Sequence, residues 1–521
     1  MPFWVKCCFF ATNVLPLNTV SNCISKSMTR HFLEDFPIAP GVSLTDTSTT
    51  THRFYDRNDI NQRCDAVASG LTKLNLPANS RIAVLGTCSF EFATLNVGIY
   101  RARHCVVPIN FKVPQEQIDF CFKDSGAVLA FCDPAFRHMV PNSVKCIEFC
   151  SDDYYNFLCN DTYTMQPYNG DYGLAIIYTS GTTGFPKGVV TSYSARCWYF
   201  TRGQEELGQP FPASSLITVS PLYHMAGLNN VELVLFSSKS ESNHLIMMPM
   251  FNARGFIELI GKYRPAVVKL VAPMMSMVLM EQDLLATTDT TSVEQVSLTS
   301  SFTPKKLQDE VKKFFPNVRQ VDTPYGTTET SIVFGPHPHK IPKPDMSVGY
   351  PADGVDVRID DAGVLQVRSP AILSHYNNRP ELNNTSMTPD GYYITGDLFR
   401  VNKYGFYFYI GRADDMFKSG GEKIYPSEVE AVIERHPDIL ISTVVGVVDE
   451  IKGHKPYAFV QLKPGHTADA EEIKEFVIKN VATYQIPRQV WILDELPKTN
   501  MGKIDRKALT SLAEQLLQST T

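Results

Sequence analysis

Leu174-Ala175-Ile176-Ile177-Tyr178-Thr179-Ser180-Gly181-Thr182-Thr183-Gly184-Phe185-Pro186-Lys187-Gly188 sets an uncharged apolar run directly against a loop of small, polar residues. The run reads as an apolar strand. The ten residues from Thr179 hold four hydroxyls, three glycines and one lysine. That mixture suits a loop wrapped around polyphosphate: glycines let backbone N–H groups approach, hydroxyls donate, and lysine supplies a point charge. It is not a Walker A loop, because Pro186 separates Gly184 from Lys187 and no Gly-Lys-Ser/Thr follows.

Outward from this stretch, segments of helical apolar period alternate with short β-rich runs such as Arg81-Ile82-Ala83-Val84-Leu85-Gly86. Strands alternating with helices imply an α/β fold with substantial parallel sheet. A Pro-, His- and Lys-rich loop is expected from His337 to Pro344. Val355 to Ile359 and Gly363 to Arg368 read as hairpin strands around the Asp360-Asp361-Ala362-Gly363 turn. The last hundred or so residues read as a compact α+β unit, with strands near Thr443 to Val448 and Pro456 to Leu462 and helices near Ser427 to Arg435 and Ala470 to Asn480. With 521 residues the chain exceeds one ordinary core. The expected division is an N-terminal extension over 1–30, a large multi-subdomain α/β domain with parallel and mixed sheets over 31–412, and a small α+β domain over 413–521.

Composition excludes several classes. A formal charge of −6 offers no global cationic field for nucleic acid. The apolar run Leu270 to Met280 is 11 residues long and contains Pro273, well short of the roughly 20 that span a bilayer. All 12 cysteines lie at or before Cys197, none with zinc spacing, and read as reduced, mostly buried thiols of an intracellular protein. Lys6, Lys26 and Arg30 precede the first acid, Glu34, among six Ser or Thr between Thr12 and Thr29. That composition resembles a mitochondrial presequence; an unstructured extension, or a functional start at Met28, fits it equally, so cytoplasm and mitochondrion both stay open.

Further motifs follow in order: Pro221-Leu222-Tyr223-His224, Tyr325-Gly326-Thr327-Thr328-Glu329, Tyr393-Ile394-Thr395-Gly396-Asp397-Leu398, Gly411-Arg412-Ala413-Asp414-Asp415, Lys418-Ser419-Gly420-Gly421-Glu422-Lys423-Ile424-Tyr425-Pro426, and Pro497-Lys498-Thr499-Asn500-Met501-Gly502-Lys503-Ile504-Asp505-Arg506. Together with the Thr179 to Lys187 loop, this set resembles the adenylate-forming superfamily in its acyl-CoA synthetase branch. The resemblance implies ATP-dependent conversion of a carboxylic acid to an acyl-adenylate with release of pyrophosphate, then transfer to the thiol of coenzyme A. It implies phosphate binding by Thr179, Ser180, Gly181, Thr182, Thr183, Gly184 and Lys187, with Thr328 beside the α-phosphate and Mg²⁺ on Glu329, a hard oxygen ligand for a hard cation. Tyr325 is implied against adenine, Asp397 and Arg412 at the ribose, and His224 between acyl pocket and thiol tunnel. Lys503 is implied at the bridging oxygen during adenylation. A rotation at Asp414 then exchanges Lys503 for Lys418, Gly420 and Gly421, the glycines permitting close backbone approach to pantetheine.

From Val219 to Leu228 no acidic residue occurs to pair an amino acid's ammonium, which argues against an amino-acid substrate. Seven of the 16 methionines fall between Met247 and Met280, either as a deformable wall of an acyl pocket or as ordinary core. The expected substrate is an apolar or aromatic carboxylic acid, placing the protein in fatty-acid or other lipid metabolism. Three positions depart from the family pattern: Ser300-Ser301-Phe302-Thr303 in place of a small-residue turn, Val364 where many members have Glu, and Gln485 where Lys is common. Phe302 is the best support for a rival, a nucleotide-binding homologue without catalysis; a second rival uses a carrier-protein thiol or oxidative chemistry as acceptor.

Overall fold

The computed structural model describes residues 36–48, 51–159, 163, 171–179, 185–200, 215–236, 243–299, 303, 305–319, 321–499 and 504–518. The possible targeting segment and Phe302 lie outside the described residues. The quoted apolar run is the strand Gly173–Thr179, inside a seven-stranded sheet ordered His375–Tyr376, Lys187–Ser192, Gly173–Thr179, Cys105–Pro108, Arg81–Leu85, Leu129–Cys132, Lys145–Glu148. From Gly173–Thr179 outward the five strands are parallel. Arg81–Leu85, Cys105–Pro108 and Leu129–Cys132 are buried but for Arg81, which is why they read as continuous apolar runs with no alternation. Lys187–Ser192 returns antiparallel, with Thr179 directly opposite Lys187.

A second seven-stranded sheet is ordered Val321–Asp322, Gln295–Thr299, Val267–Val271, Ser215–Thr218, Asn243–Met247, Val42–Asp46, Arg53–Tyr55. It is parallel except for the final hairpin. One continuous core joins the two sheets and the helix Met225–Phe236, whose near-total burial follows from an apolar surface all round. Asn229, Asn230 and Glu232 are the exceptions on that helix, and Glu232 is the charged one. It is ion-paired with buried Arg196 and accepts from Tyr100 Oη at 2.7 Å, while Arg196 also donates to Asn229 Oδ1 at 2.6 Å. A buried pair of this kind fixes the helix's rotation, because stranding either charge costs about 3–5 kcal/mol.

The apolar run Leu270 to Met280 divides in two: Val267–Val271 is a strand and Ala272–Met280 a helix with Pro273 in its first turn, where a missing N–H costs nothing. The expected hairpin is present as Asp356–Ile359 and Val364–Arg368, its turn closed by Asp360 Oδ1 accepting from Ala362 N and Val364 N at 2.9 Å each. It extends through Tyr393–Val401 and Tyr407–Arg412 into a four-stranded antiparallel sheet. Beyond Arg412 the chain turns and builds the smaller domain, five strands around Ile439–Asp449 and Gly453–Leu462, packed by Pro426–Ile433, Ala470–Ile478 and Arg506–Gln518. The nine described cysteines are unbridged and six of them are buried. Among the described residues no helix is long and apolar enough to cross a membrane.

Candidate active site

The two domains line a common cleft of about 2480 Å³. Thr179 and Lys187 reach it from the ends of paired strands. The base of their hairpin is held by Asp124, which accepts from Tyr178 Oη at 2.8 Å and Arg379 Nη1 at 3.1 Å, and whose carbonyl accepts from Asn377 Nδ2 at 2.7 Å. Ser180, Gly181, Thr182, Thr183 and Gly184 lie outside the described residues.

Tyr325, Thr328 and Glu329 enter the cleft from a tight hairpin of Gly326–Thr327 and Ser331–Ile332. Only glycine fits at Gly326, where a Cβ would stand 2.2 Å from Ser331 O. Thr327 Oγ1 accepts from Glu329 N and Thr330 N at 3.2 Å each, fixing the loop between the strands. Tyr325 packs edge-on against Phe399, ring centroids 4.8 Å apart, and its hydroxyl donates to Asp397 Oδ2 at 2.5 Å. Asp397 is 4% exposed and takes one more bond, from Arg412 Nη1 at 2.9 Å. Burial and the Asp397 charge push the Tyr325 phenol well above its ordinary range, so it stays a neutral donor. Two bonds leave about half of the carboxylate's four acceptor positions for a ligand.

Glu329 is arranged similarly. Its Oε1 accepts from Tyr376 Oη at 3.0 Å, and Tyr376 is bonded in turn to Tyr393 Oη at 2.8 Å. Burial, then the Glu329 charge, raises the Tyr376 phenol. Among the described residues Tyr376 is the sole donor to the Glu329 carboxylate, which therefore presents hard, negatively charged oxygen to the cleft, a donor set that fits Mg²⁺.

His224 lines the cleft at the head of the helix Met225–Phe236, its N–H donating to Pro221 O at 3.1 Å. Asp414 and Lys418 line it from the smaller domain. Gly420 and Gly421 do not: they form the turn between Phe417–Ser419 and Glu422–Ile424 with φ of +59° and +92°. A Cβ on either meets no protein atom within 4 Å, and the left-handed backbone at both positions favours glycine. Lys503 lies outside the described residues, but the base of its turn is seen where Lys498 bridges Ile504 and Asp505 N donates to Pro497 O at 2.8 Å. Met274, Met277 and Met280 face the cleft, whereas Met247, Met248 and Met275 are core, so the methionine cluster divides between cleft wall and core. Val364 opens a buried strand, and Gln485 Nε2 reaches Glu428 Oε2 at 3.4 Å.

Three cleft residues escaped the sequence reading. Tyr376 belongs to a two-residue edge strand, too short for any periodic signal. Arg506 grips Glu430 with two bonds, 2.7 and 2.8 Å, and stands 3.4 Å from Asp415. Lys269 lies in Val267–Val271, where a charge inside an otherwise apolar strand was a legible signal.

The family described as AMP-binding enzyme matches residues 43–376, and the AMP-binding enzyme C-terminal domain matches residues 428–503. An indoleacetate–CoA ligase of Aromatoleum aromaticum is 28% identical over 474 residues, covering 86% of this chain and 91% of that protein. 4-Coumarate–CoA ligase 1 of Petroselinum crispum is 28% identical over 477 residues, covering 85% and 86%. The fold is shared with ATP-bound MatB from Rhodopseudomonas palustris at a TM-score of 0.82 and 22% identity, covering 94% of this chain and 99% of that one.

Proposed function

The chain belongs to the AMP-binding enzyme family, and from that premise we propose that it joins a carboxylic acid to AMP at the expense of ATP and passes the acyl group to coenzyme A. The observation that carries this reading is the convergence, in a single two-domain cleft, of the hairpin base Thr179/Lys187, the Tyr325–Asp397–Arg412 cluster and Glu329. The acid is aromatic or apolar, as the CoA ligases similar to this chain suggest.

In this mechanism Asp397 accepts from the ribose hydroxyls with its remaining lone pairs, and Arg412 fixes its orientation. Tyr325 stacks on adenine, and Lys187 with the loop hydroxyls holds the departing phosphates. Thr328 donates to the α-phosphate. Glu329 holds Mg²⁺, which when bound neutralises phosphate charge. Lys503 reaches from the small domain to the oxygen bridging carboxylate and phosphate, where charge develops in the transition state. Rotation about Asp414 then withdraws Lys503, presents Lys418 and excludes water from a reactive anhydride. Membership of fatty-acid or other lipid metabolism remains part of this proposal and depends on the acid.

Pyrophosphate exchange across a panel of aromatic and aliphatic acids with ATP and Mg²⁺ tests the first half. The expected result is acid-dependent exchange, and none with any acid would leave only a nucleotide binder. AMP release that is faster with coenzyme A than without it supports the second half; equal rates would point to another acceptor.

A further inference from the structure

Asp124 lies in the last turn of the helix Gln115–Ser125, where the helix dipole disfavours a carboxylate, so the helix itself gains nothing from it. Its side chain is 6% exposed and gathers donors from two distant segments. Oδ2 accepts from Tyr178 Oη at 2.8 Å and from Asn377 Nδ2 at 3.1 Å, and Oδ1 accepts from Arg379 Nη1 at 3.1 Å. The Asp124 carbonyl accepts from Asn377 Nδ2 at 2.7 Å and from Asn378 Nδ2 at 2.8 Å. Asp124 is not itself among the residues that line the cleft.

Both donor segments adjoin residues that are. Tyr178 precedes Thr179 and stands opposite Gly188, beside Lys187. Asn377, Asn378 and Arg379 follow Tyr376, whose hydroxyl donates to Glu329 Oε1 at 3.0 Å. The segment from Leu373 to Arg379 is therefore a strap between the Lys187 strand and Glu329. Toward Glu329, Leu373 N donates to the Glu329 carbonyl at 2.6 Å. Toward the Lys187 strand, Ser374 N donates to Val190 O at 2.8 Å and Asn377 N to Gly188 O at 2.7 Å. The strap's own strand, His375–Tyr376, is two residues long and sits at the sheet edge, so its ladder holds it weakly. Hydrogen bonds to a buried carboxylate are stronger than those of a neutral ladder, and Asp124 supplies them at the strap's far end.

We propose that Asp124 is a positioning residue for the polyphosphate: it locks the Thr179/Lys187 hairpin and the Tyr376–Glu329 pair into one frame, so that the Lys187 amine and the Glu329 carboxylate keep a fixed separation. This rests on the adenylation reading and adds to it a residue that acts only through others.

The test compares calorimetric Kd values for MgATP and for AMP in the native protein and in Asp124→Asn. Lys187 and Glu329 serve the metal and the outer phosphates, which AMP lacks, whereas Asp397 and Tyr325 serve the nucleoside, which both ligands share. The ratio of the two Kd values should move about tenfold against MgATP in the variant, as loss of an outer partner of a metal ligand does, with AMP binding retained. Arg379→Gln, which removes one donor, should move the ratio in the same direction by a smaller factor. A purely structural Asp124 would lower the urea midpoint and weaken both ligands alike, and that unmoved ratio would overturn the inference. If Asp124→Asn does not fold, the ratio in Arg379→Gln decides. A moved ratio without acid-dependent pyrophosphate exchange in the native protein would keep the positioning role and sink the adenylation reading; exchange with an unmoved ratio would do the reverse.

Discussion

The two walls of the cleft treat their carboxylates differently. On the large-domain wall, Glu329 is held by a tyrosine hydroxyl, and Asp397 by a tyrosine and a single bond from an Arg412 side chain that is 43% exposed. On the small-domain wall, Glu430 is clamped by both arms of Arg506, which also donates to Val444 O at 2.8 Å. A neutral hydroxyl occupies one lone pair and leaves the negative charge for a ligand, whereas a bidentate guanidinium consumes it. The first wall is therefore set to receive cations and hydroxyls. The second has its Glu430 carboxylate satisfied internally.

The largest expected effect breaks the cleft across both walls. Lys503→Ala should reduce adenylation on the order of 10²-fold or more, as loss of a preorganised donor does, while thioester formation from supplied acyl-AMP persists; equal loss in both steps would mean the walls do not exchange roles. On the receiving wall, Asp397→Asn should raise KM for ATP roughly 10- to 100-fold, the weight of hydrogen bonds to a charged acceptor. An unaltered KM for ATP, read from initial rates at saturating acid, would remove Asp397 from the nucleotide site. On the internally paired wall, Arg506→Gln should cost stability, about 2 kcal/mol for a partly buried pair, visible in the denaturant midpoint. There both half-reactions should fall together, and a selective loss of one would make Arg506 part of the receiving machinery instead.

The smallest effect concerns the buried amine of Lys269. Burial lowers the Lys269 amine to about 8, against an ordinary value near 10.4 in the unfolded chain. Between those values the unfolded state binds the extra proton, so stability rises with pH. From pH 7 to pH 9 this group should add about 1 kcal/mol, a gain absent in Lys269→Met. Identical pH dependence in the two proteins, followed by urea unfolding, would show the amine to be better solvated than its burial implies.

Local signals in the sequence carried much of this. The strands Arg81–Leu85 and Gly173–Thr179 were legible as unbroken apolar runs, and the hairpin at Asp360 through its turn chemistry. Leu270 to Met280 was not, since an apolar run with neither period fits strand and helix equally, and only Pro273 marks the change. The motif residues Tyr325, Glu329, Asp397 and Arg412 were identifiable one by one. Their bonding was not, because Tyr376 meets Glu329 across 47 positions and Tyr325 meets Asp397 across 72.

The pairing of Thr179 with Lys187 bears on how the chain between them can change. Closing a flexible loop costs entropy that grows only as (3/2)RT ln n, about 0.6 kcal/mol per doubling of length. Here the strands and Asp124 have already brought the ends together, so the seven residues at 180–186 carry no further closure penalty. Replacement of that segment by one of different length should therefore alter what the loop grips while leaving the sheet beneath it in register.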